Sequence, residues 1–261
     1  MTDPAGACNP DNSAPANGAA DNGAAAPMES PSLAAVTGIP AYELKFLLSE
    51  AQAHAVEELA RAQLLTDPHA DPSRGNAYHT TSIYCDTAAF DVFHRRPPHK
   101  RRKHRLRRYQ DALAVFLERK SKWGYRVKKR RTMIPAADLA LFAHPMSLTD
   151  WDGHWFHRHL VAAQLQPVCR IAYERVALVG QAAEGPLRLT FDRHIQGIMS
   201  RTWSVDRVEN GLPVLADKVI CEFKYRAFLP SLFKSIIEAL QLTPQPVSKY
   251  RTFLHAAGIS Q

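Results

Sequence analysis

Between Arg101 and Arg131 the chain reads RRKHRLRRYQDALAVFLERKSKWGYRVKKRR and holds 14 of its 33 lysines and arginines. Cations at this density neutralise phosphate: Arg grips two oxygens at once, and Lys acts as a point charge. A run of like charge is ordinarily a solvated face or tail, but here apolar residues interrupt it at strand spacing. Arg105 and Arg107 share one face, with Leu106 opposite. Glu118 and Lys120 share another, while Val115, Leu117 and Arg119 point away. Arg126, Lys128 and Arg130 line up, with Val127 opposite and with Lys129 and Arg131 out of the row, facing solvent. Rows of like charge on adjacent strands repel, so these rows call for a polyanion between them.

The same pattern recurs along the chain. Lys45, Arg175, Arg188 and Lys224 occupy the selected face of alternating segments, and Glu43, Glu118 and Glu222 share those faces. A closed antiparallel barrel of eight-stranded type accounts for all of them together. Its lumen would be charged and its apolar exterior covered by helices. The expected class is therefore mainly antiparallel β with flanking helices, an α+β fold.

The elements that must position these residues can be taken in order. Residues 1–38, rich in Ala, Pro, Asn, Gly and Ser, lack the apolar content to offset ordering entropy and are expected to be disordered. The folded domain is expected over 39–261. Tyr42 to Phe46 alternates as a strand, and Ser49-Glu50-Ala51-Gln52 fits a capping box opening a helix. Residues 67–76 read as a loop and Tyr78 to Cys85 as a strand, after which Asp86-Thr87 caps a short helix through Phe93. Three basic strands follow, with reversals at Gln110-Asp111 and near Gly124. Pro135 to Met146 and Trp151 to Gln164 read as helices. Val168 to Val179, Leu187 to Ile195 and Val219 to Tyr225 read as strands, with an Asn210-Gly211 hairpin between 203–208 and 212–215. Ser231 to Leu242 is an amphipathic helix, and Lys249-Tyr250 follows a Pro-rich turn.

The formal charge is +8. Residues 1–44 contain no Lys or Arg and carry −5, which leaves +13 on the rest and predicts an anionic partner. The four cysteines are scattered without a CxxC, and buried free thiols in a reducing compartment are expected. No apolar run reaches the ~20 residues of a membrane span and no secretory signal is evident, so a cytoplasmic protein is expected. His154, His157 and His159 lack a fitting fourth ligand for zinc.

In order, Tyr42-Glu43-Leu44-Lys45-Phe46, Ile83-Tyr84-Cys85-Asp86-Thr87, Arg105-Leu106-Arg107-Arg108-Tyr109 and Phe116-Leu117-Glu118-Arg119-Lys120 resemble strands of the vacuolar transporter chaperone (VTC) catalytic domain. So do Tyr173-Glu174-Arg175, Arg188-Leu189-Thr190-Phe191-Asp192, Glu222-Phe223-Lys224 and Ser248-Lys249-Tyr250. The resemblance spans roughly residues 40–255. That family belongs to the triphosphate tunnel metalloenzymes, and its best-known members make inorganic polyphosphate from ATP with Mn²⁺ or Mg²⁺. The resemblance implies that Arg105, Arg107, Lys120, Arg175 and Arg188 act on the transferred phosphates. Lys45, Lys128 and Lys249 would bind phosphate beside them, with Arg130 and Lys224 added from their shared faces. Glu222 is implied as metal ligand. Glu118 is either a second ligand or a partner for neighbouring cations. The ExExK signature of hydrolytic tunnel enzymes is absent, since the first strand reads Tyr-Glu-Leu-Lys.

An ATP-dependent polyphosphate polymerase is the expected function. A tunnel-type triphosphatase, or a non-catalytic binder of polyphosphate or nucleic acid, are the alternatives. Nucleic acid is disfavoured because the cations are spread over many strands without aromatic stacking motifs. Export of a product would need a separate membrane protein, because this chain has no span of its own.

Overall fold

The computed structural model describes residues 41–123, 126–143 and 149–260. One antiparallel sheet dominates them, built from β1 (Ala41–Leu48), β2 (Leu65–Thr66), β3 (Ala77–Asp86), β4 (Arg102–Tyr109), β5 (Ala114–Trp123), β6 (Arg126–Pro135), β7 (Gln166–Ala182), β8 (Gly185–Met199), β9 (Leu212–Pro213) and β10 (Val219–Arg226). Eight strands follow one path, β1-β10-β8-β7-β3-β4-β5-β6, with β2 paired to β7 and β9 to β8. The α+β class expected from the alternation is the one observed.

The barrel is not closed by backbone pairing: among the described residues no ladder joins β6 to β1. Side chains span the gap instead. Lys120 of β5 lies 3.0 Å from Glu43 of β1, so the sheet curls far enough to bring the two ends of the path together. A β-bulge in the β7–β8 ladder, where Ala172 pairs with Gln196 and Glu174 with Arg193, contributes to that curvature.

Alternation sorts the two faces. On the outer face Phe46, Leu189, Phe191, Cys221 and Phe223 are buried under α1 (Glu50–Arg61) and α3 (Ser231–Ala239). Each such side chain stabilises the fold by roughly 1.5–3 kcal/mol. Ile83, Leu106, Val115, Leu117 and Ile134 cluster with Phe142, Trp155 and Phe156, the last two from α2 (His154–Ala162). The capping box of α1 forms as read: Gln52 N donates to Ser49 Oγ at 3.2 Å, and Ser49 N donates to the Gln52 side chain at 3.0 Å. After the Pro-rich turn, residues 249–256 form a further helix, α4. Gly197 of β8 admits it, since a Cβ there would meet the Phe253 ring at 2.5 Å.

Three local readings need correction. Residues 136–143 form 3₁₀ rather than α-helix, and the remainder of that expected helix, 144–146, lies outside the described residues. Asp86 does cap, accepting from the backbone N–H groups of Thr87, Val92 and Phe93, but the segment it caps is a series of turns. The Asn210-Gly211 hairpin does not form. Residues 203–208 leave the sheet, burying Val205 and Val208, while Leu212 and Pro213 pair with Gly197 and Gln196 of β8. The tail over 1–38 and the turn at Gly124 lie outside the described residues.

Cys85, Cys169 and Cys221 are buried free thiols. No helix among the described residues is long and apolar enough to cross a membrane.

Candidate active site: a cation-lined lumen

The inner face of the curled sheet collects the charges. Following the ladders across directly opposed residues, Lys45 faces Glu222, Lys224 faces Arg188, Asp192 faces Arg175, and Arg105 faces Glu118. Opposed residues in an antiparallel pair project to the same side, so these groups converge.

Two carboxylates anchor the interior. Asp192, fully buried, accepts from Arg175 Nε at 2.6 Å and Nη2 at 2.7 Å, and from the ammonium of Lys249 on α4. Burial pushes its pKa up, but Arg175 and Lys249 more than offset this and hold it below the usual carboxylate range. Glu118, also buried, meets Arg105 at 2.6 Å, Lys129 at 2.5 Å and Arg131 at 3.4 Å. Burial opposes its charge; Arg105 and Lys129 outweigh burial and keep it ionised well below its ordinary value. These bonds hold long, flexible cations in fixed directions before any phosphate arrives.

A second group lies between β1 and β10. Lys45 is 2.9 Å from Glu43 and 3.8 Å from Glu222, and Lys224 is 3.1 Å from Glu222. Arg107 donates to Ser82 Oγ at 3.0 Å, and its guanidinium lies 5.7 Å from the centre of the Tyr173 ring, which also receives Arg175 and Lys249. Arg188 bridges Asp67 at 2.6 Å and donates to the Tyr78 hydroxyl at 3.1 Å. Burial and the neighbouring Arg175 together leave Lys249 depressed to about 8, despite the opposing pull of Asp192.

The metal expectation can be tested on these donors. Glu222 and Glu43 offer hard carboxylate oxygens, the chemistry Mg²⁺ or Mn²⁺ requires. Among the described residues no cluster of three or more acidic, His or Cys ligands forms, so phosphate oxygens and water would complete the shell of an ion held there. All three carboxylates already meet cations, Glu43 with Lys45 and Lys120, Glu222 with Lys224 and Lys45, and Glu118 with Arg105, Lys129 and Arg131. A metal ion would have to share oxygens with those pairs; Glu118, the most deeply buried of the three, is the least open to one.

The model of the VTC domain matches residues 40–257, nearly all of the described chain. This chain belongs to the VTC domain family. Its fold is similar to an adenylate cyclase-like protein from Bacillus halodurans, at 16% identity and TM-score 0.47, covering 80% of this chain and 94% of that one. It is similar also to an adenylyl cyclase-like protein from Hippeastrum with a dominant triphosphatase activity, at 13% identity and TM-score 0.46, covering 82% and 95%. The PH1012 protein of Pyrococcus horikoshii gives 8% identity and TM-score 0.45, covering 82% and 99%. Comparison with curated proteins finds no match. The family assignment rests on the domain match alone.

Of the residues expected in this VTC domain's lumen, Lys45, Arg105, Arg107, Lys120, Arg175, Arg188, Lys224, Lys249, Glu118 and Glu222 come together as described. Lys128 and Arg130 do not. On β6 the row facing the lumen is Lys129 and Arg131, opposed to Lys120 and Glu118, whereas Lys128 and Arg130 oppose Ser121 and Arg119 on the outer face. Arg130 lies over the Trp155 ring of α2 at 4.0 Å. Both faces of that strand are rich in cations, so alternation could not say which faced in; the hairpin register decides it. Asp192 and Asp67 were missed as partners. Asp192 stood in the quoted motif at the spacing of Arg188 and Thr190, which was the available signal. Asp67 sits in a loop and had none.

Proposed function

We propose that this VTC domain is an ATP-dependent polyphosphate polymerase. The observation that carries the reading is the lumen itself. Strands all along the path, and α4, turn Arg and Lys inward around a channel, and buried Asp192 and Glu118 fix their directions. Phosphoryl transfer needs phosphates aligned and charge neutralised rather than a protein nucleophile. A terminal oxygen of the growing chain, or of orthophosphate at initiation, attacks the γ-phosphorus of ATP. The new P–O bond forms as the bond to the β–γ bridging oxygen breaks, and ADP leaves. Arg105, Arg107, Arg175 and Arg188 grip the transferred and flanking phosphates; Lys45, Lys120, Lys129, Lys224 and Lys249 neutralise the rest. Glu222, with Glu43 beside it, would hold Mn²⁺ or Mg²⁺, which supplies further neutralisation of phosphate oxygens. In this reading the polymer leaves the channel at one end while nucleotide enters at the other.

The test is a time course with ATP and Mn²⁺, resolved on a gel stained for polyphosphate, with free phosphate assayed in parallel. A growing ladder with ADP and little free phosphate is expected. Free phosphate without chains would assign a triphosphatase instead, with water in place of the growing chain. Arg105→Ala is expected to abolish the ladder while the protein stays folded by circular dichroism; a folded variant that still synthesises chains overturns the assignment of the lumen.

A further inference from the structure

The lumen-facing row of β4 does not stop at Arg105. It continues to Lys103, opposite Lys120, and Lys103 is exposed at the end of the strand. Its ammonium donates to Ser248 Oγ, the N-cap of α4, at 3.3 Å. One turn into α4, Arg251 donates from Nη1 to the Phe93 carbonyl at 2.9 Å, and Arg95 stands two residues beyond Phe93. The start of β4 and the first turn of α4 therefore bring Lys103 and Arg251 to the same end of the lumen, with Arg95 exposed in the adjoining turn that Arg251 grips at Phe93. Crowding by the surrounding protein atoms, then Lys45, Lys120, Arg95 and Arg251, lowers the ammonium of Lys103 to about 8 even though the residue keeps contact with solvent.

These three differ from the cations deeper in. Among the described residues, no carboxylate lies in ion-pair distance of Arg95, Lys103 or Arg251. Like charges gathered without counter-ions cost stability, which an external polyanion would remove. Two features argue that this polyanion is not a nucleic acid. Phe93, the ring under Arg251, is fully buried, and the exposed large aromatic among the described residues is Phe228, after β10. Among the described residues, no exposed Phe, Tyr or Trp offers a base a stacking platform here.

We propose that Arg95, Lys103 and Arg251 form an outer binding site, continuous with the lumen, for the segment of a long inorganic polyphosphate chain that extends beyond the channel. The naming of the ligand rests on the reading of the lumen as a polyphosphate site. The site adds length discrimination: a short oligophosphate is held by the lumen alone, and a long chain also by the mouth.

Binding, rather than synthesis, tests this. Wild-type protein and Arg95→Asn/Lys103→Gln are titrated with tripolyphosphate and with long-chain polyphosphate; adding Arg251→Gln gives the triple variant. Asn suits position 95, whose φ of +59° is left-handed, and the double variant keeps the Arg251 bond to the Phe93 carbonyl should the triple variant fold poorly. For long chains the triple variant is expected to bind about tenfold more weakly, with a slope of log K against log salt shallower by about 2, as for flexible single-stranded polyanions. Tripolyphosphate affinity is expected to stay within about twofold. Equal losses for both ligands, or no loss for either, overturn the outer site while leaving the lumen reading intact. Failure of wild-type protein to bind tripolyphosphate counts against the lumen reading itself, and tighter binding of a single-stranded oligonucleotide than of long polyphosphate overturns the choice of ligand.

Discussion

The middle of the lumen and its Lys103 end use the same side chains in opposite ways. In the middle every named arginine already has a partner: Glu118 for Arg105, Ser82 for Arg107, Asp192 for Arg175 and Asp67 for Arg188. At the exposed end Arg95, Lys103 and Arg251 meet hydroxyl or carbonyl oxygens or none, and no acid. A buried charge must be paired to exist at all, and the pairing also aims the guanidinium groups before the ligand arrives. An exposed cation needs no such partner and can follow a flexible chain. The difference suggests a rigid interior for chemistry and an adaptable edge for retention.

The largest way to break that contrast is to remove an interior acid. Asp192→Ala leaves the buried Arg175 and the nearly buried Lys249 uncompensated, and Glu118→Ala strips the half-buried Arg105, Lys129 and Arg131 of their shared acid. Asp192→Ala is expected to cost roughly 3–5 kcal/mol and Glu118→Ala less, because water reaches its three cations. Both are read as a lowered midpoint in guanidinium denaturation, whereas Lys103→Gln should move the midpoint little. Both acids have folded pKa values depressed below their unfolded 3.8 and 4.5. Their contribution is therefore full above about pH 5 and is lost as pH falls through and below 4. Wild-type stability should follow that course, and in Asp192→Ala the acid limb should be shallower. An unchanged midpoint in both variants would show that the interior pairs do not hold the fold.

Next in size is the choice of face on β6. Lys129→Ala is expected to weaken tripolyphosphate binding by roughly tenfold, the scale of a lost charge-assisted contact, and Lys128→Ala by less than about twofold. Isothermal titration calorimetry on the pair checks it, and the reverse order would place the strand in the other register. This pair also marks where the sequence stopped being legible. Strands such as 42–46 and 219–225 alternate apolar against charged residues, so burial dictated the face and the reading held. An apolar stripe likewise gave the helix read over 231–242, which the structure forms over 231–239, and the Ser49 to Gln52 spacing gave the capping box. On β6 the two faces offer Lys128 and Arg130 or Lys129 and Arg131, chemically alike, and only the β5 register distinguishes them. Closure failed for a related reason: alternation describes faces and says nothing about whether the last strand bonds to the first. Partners such as Asp67, brought from a loop, depend on the tertiary path and leave no periodic trace.

A smaller effect separates the two regions by pH. Lys249 inside and Lys103 at the edge are each depressed to about 8 from 10.5. A bound polyphosphate favours their charged forms, so binding takes up protons between those values and affinity should fall as pH rises through about 8. Lys249→Arg should flatten this profile for tripolyphosphate, because Arg stays charged. For long chains Lys103→Arg should be needed as well. Calorimetry in buffers of different ionisation enthalpy reads the proton uptake directly; a profile for tripolyphosphate that only Lys103→Arg flattens would reverse the assignment of interior and edge.

The smallest effect lies outside the lumen. Arg130, expected to face inward, instead lies over the Trp155 ring at 4.0 Å, with Arg119 5.7 Å from the same ring and Trp155 Nε1 donating to Thr132 Oγ1 at 2.9 Å. Two cations on one indole join β5 and β6 to α2 and so brace the wall from which Glu118 and Lys129 project. An exposed cation–π contact contributes about 0.5–1 kcal/mol, so Arg130→Ala should lower stability by that amount and shift the Trp155 fluorescence, with tripolyphosphate affinity unchanged. Glu118→Ala disturbs the same pair of strands from the inner side. If the outer face only supports and the inner face binds, the two substitutions should add in stability and stay separate in affinity. A loss of affinity in Arg130→Ala matching that of Lys129→Ala would mean that β6 presents both faces to phosphate, and the division between support and binding would fail at that strand.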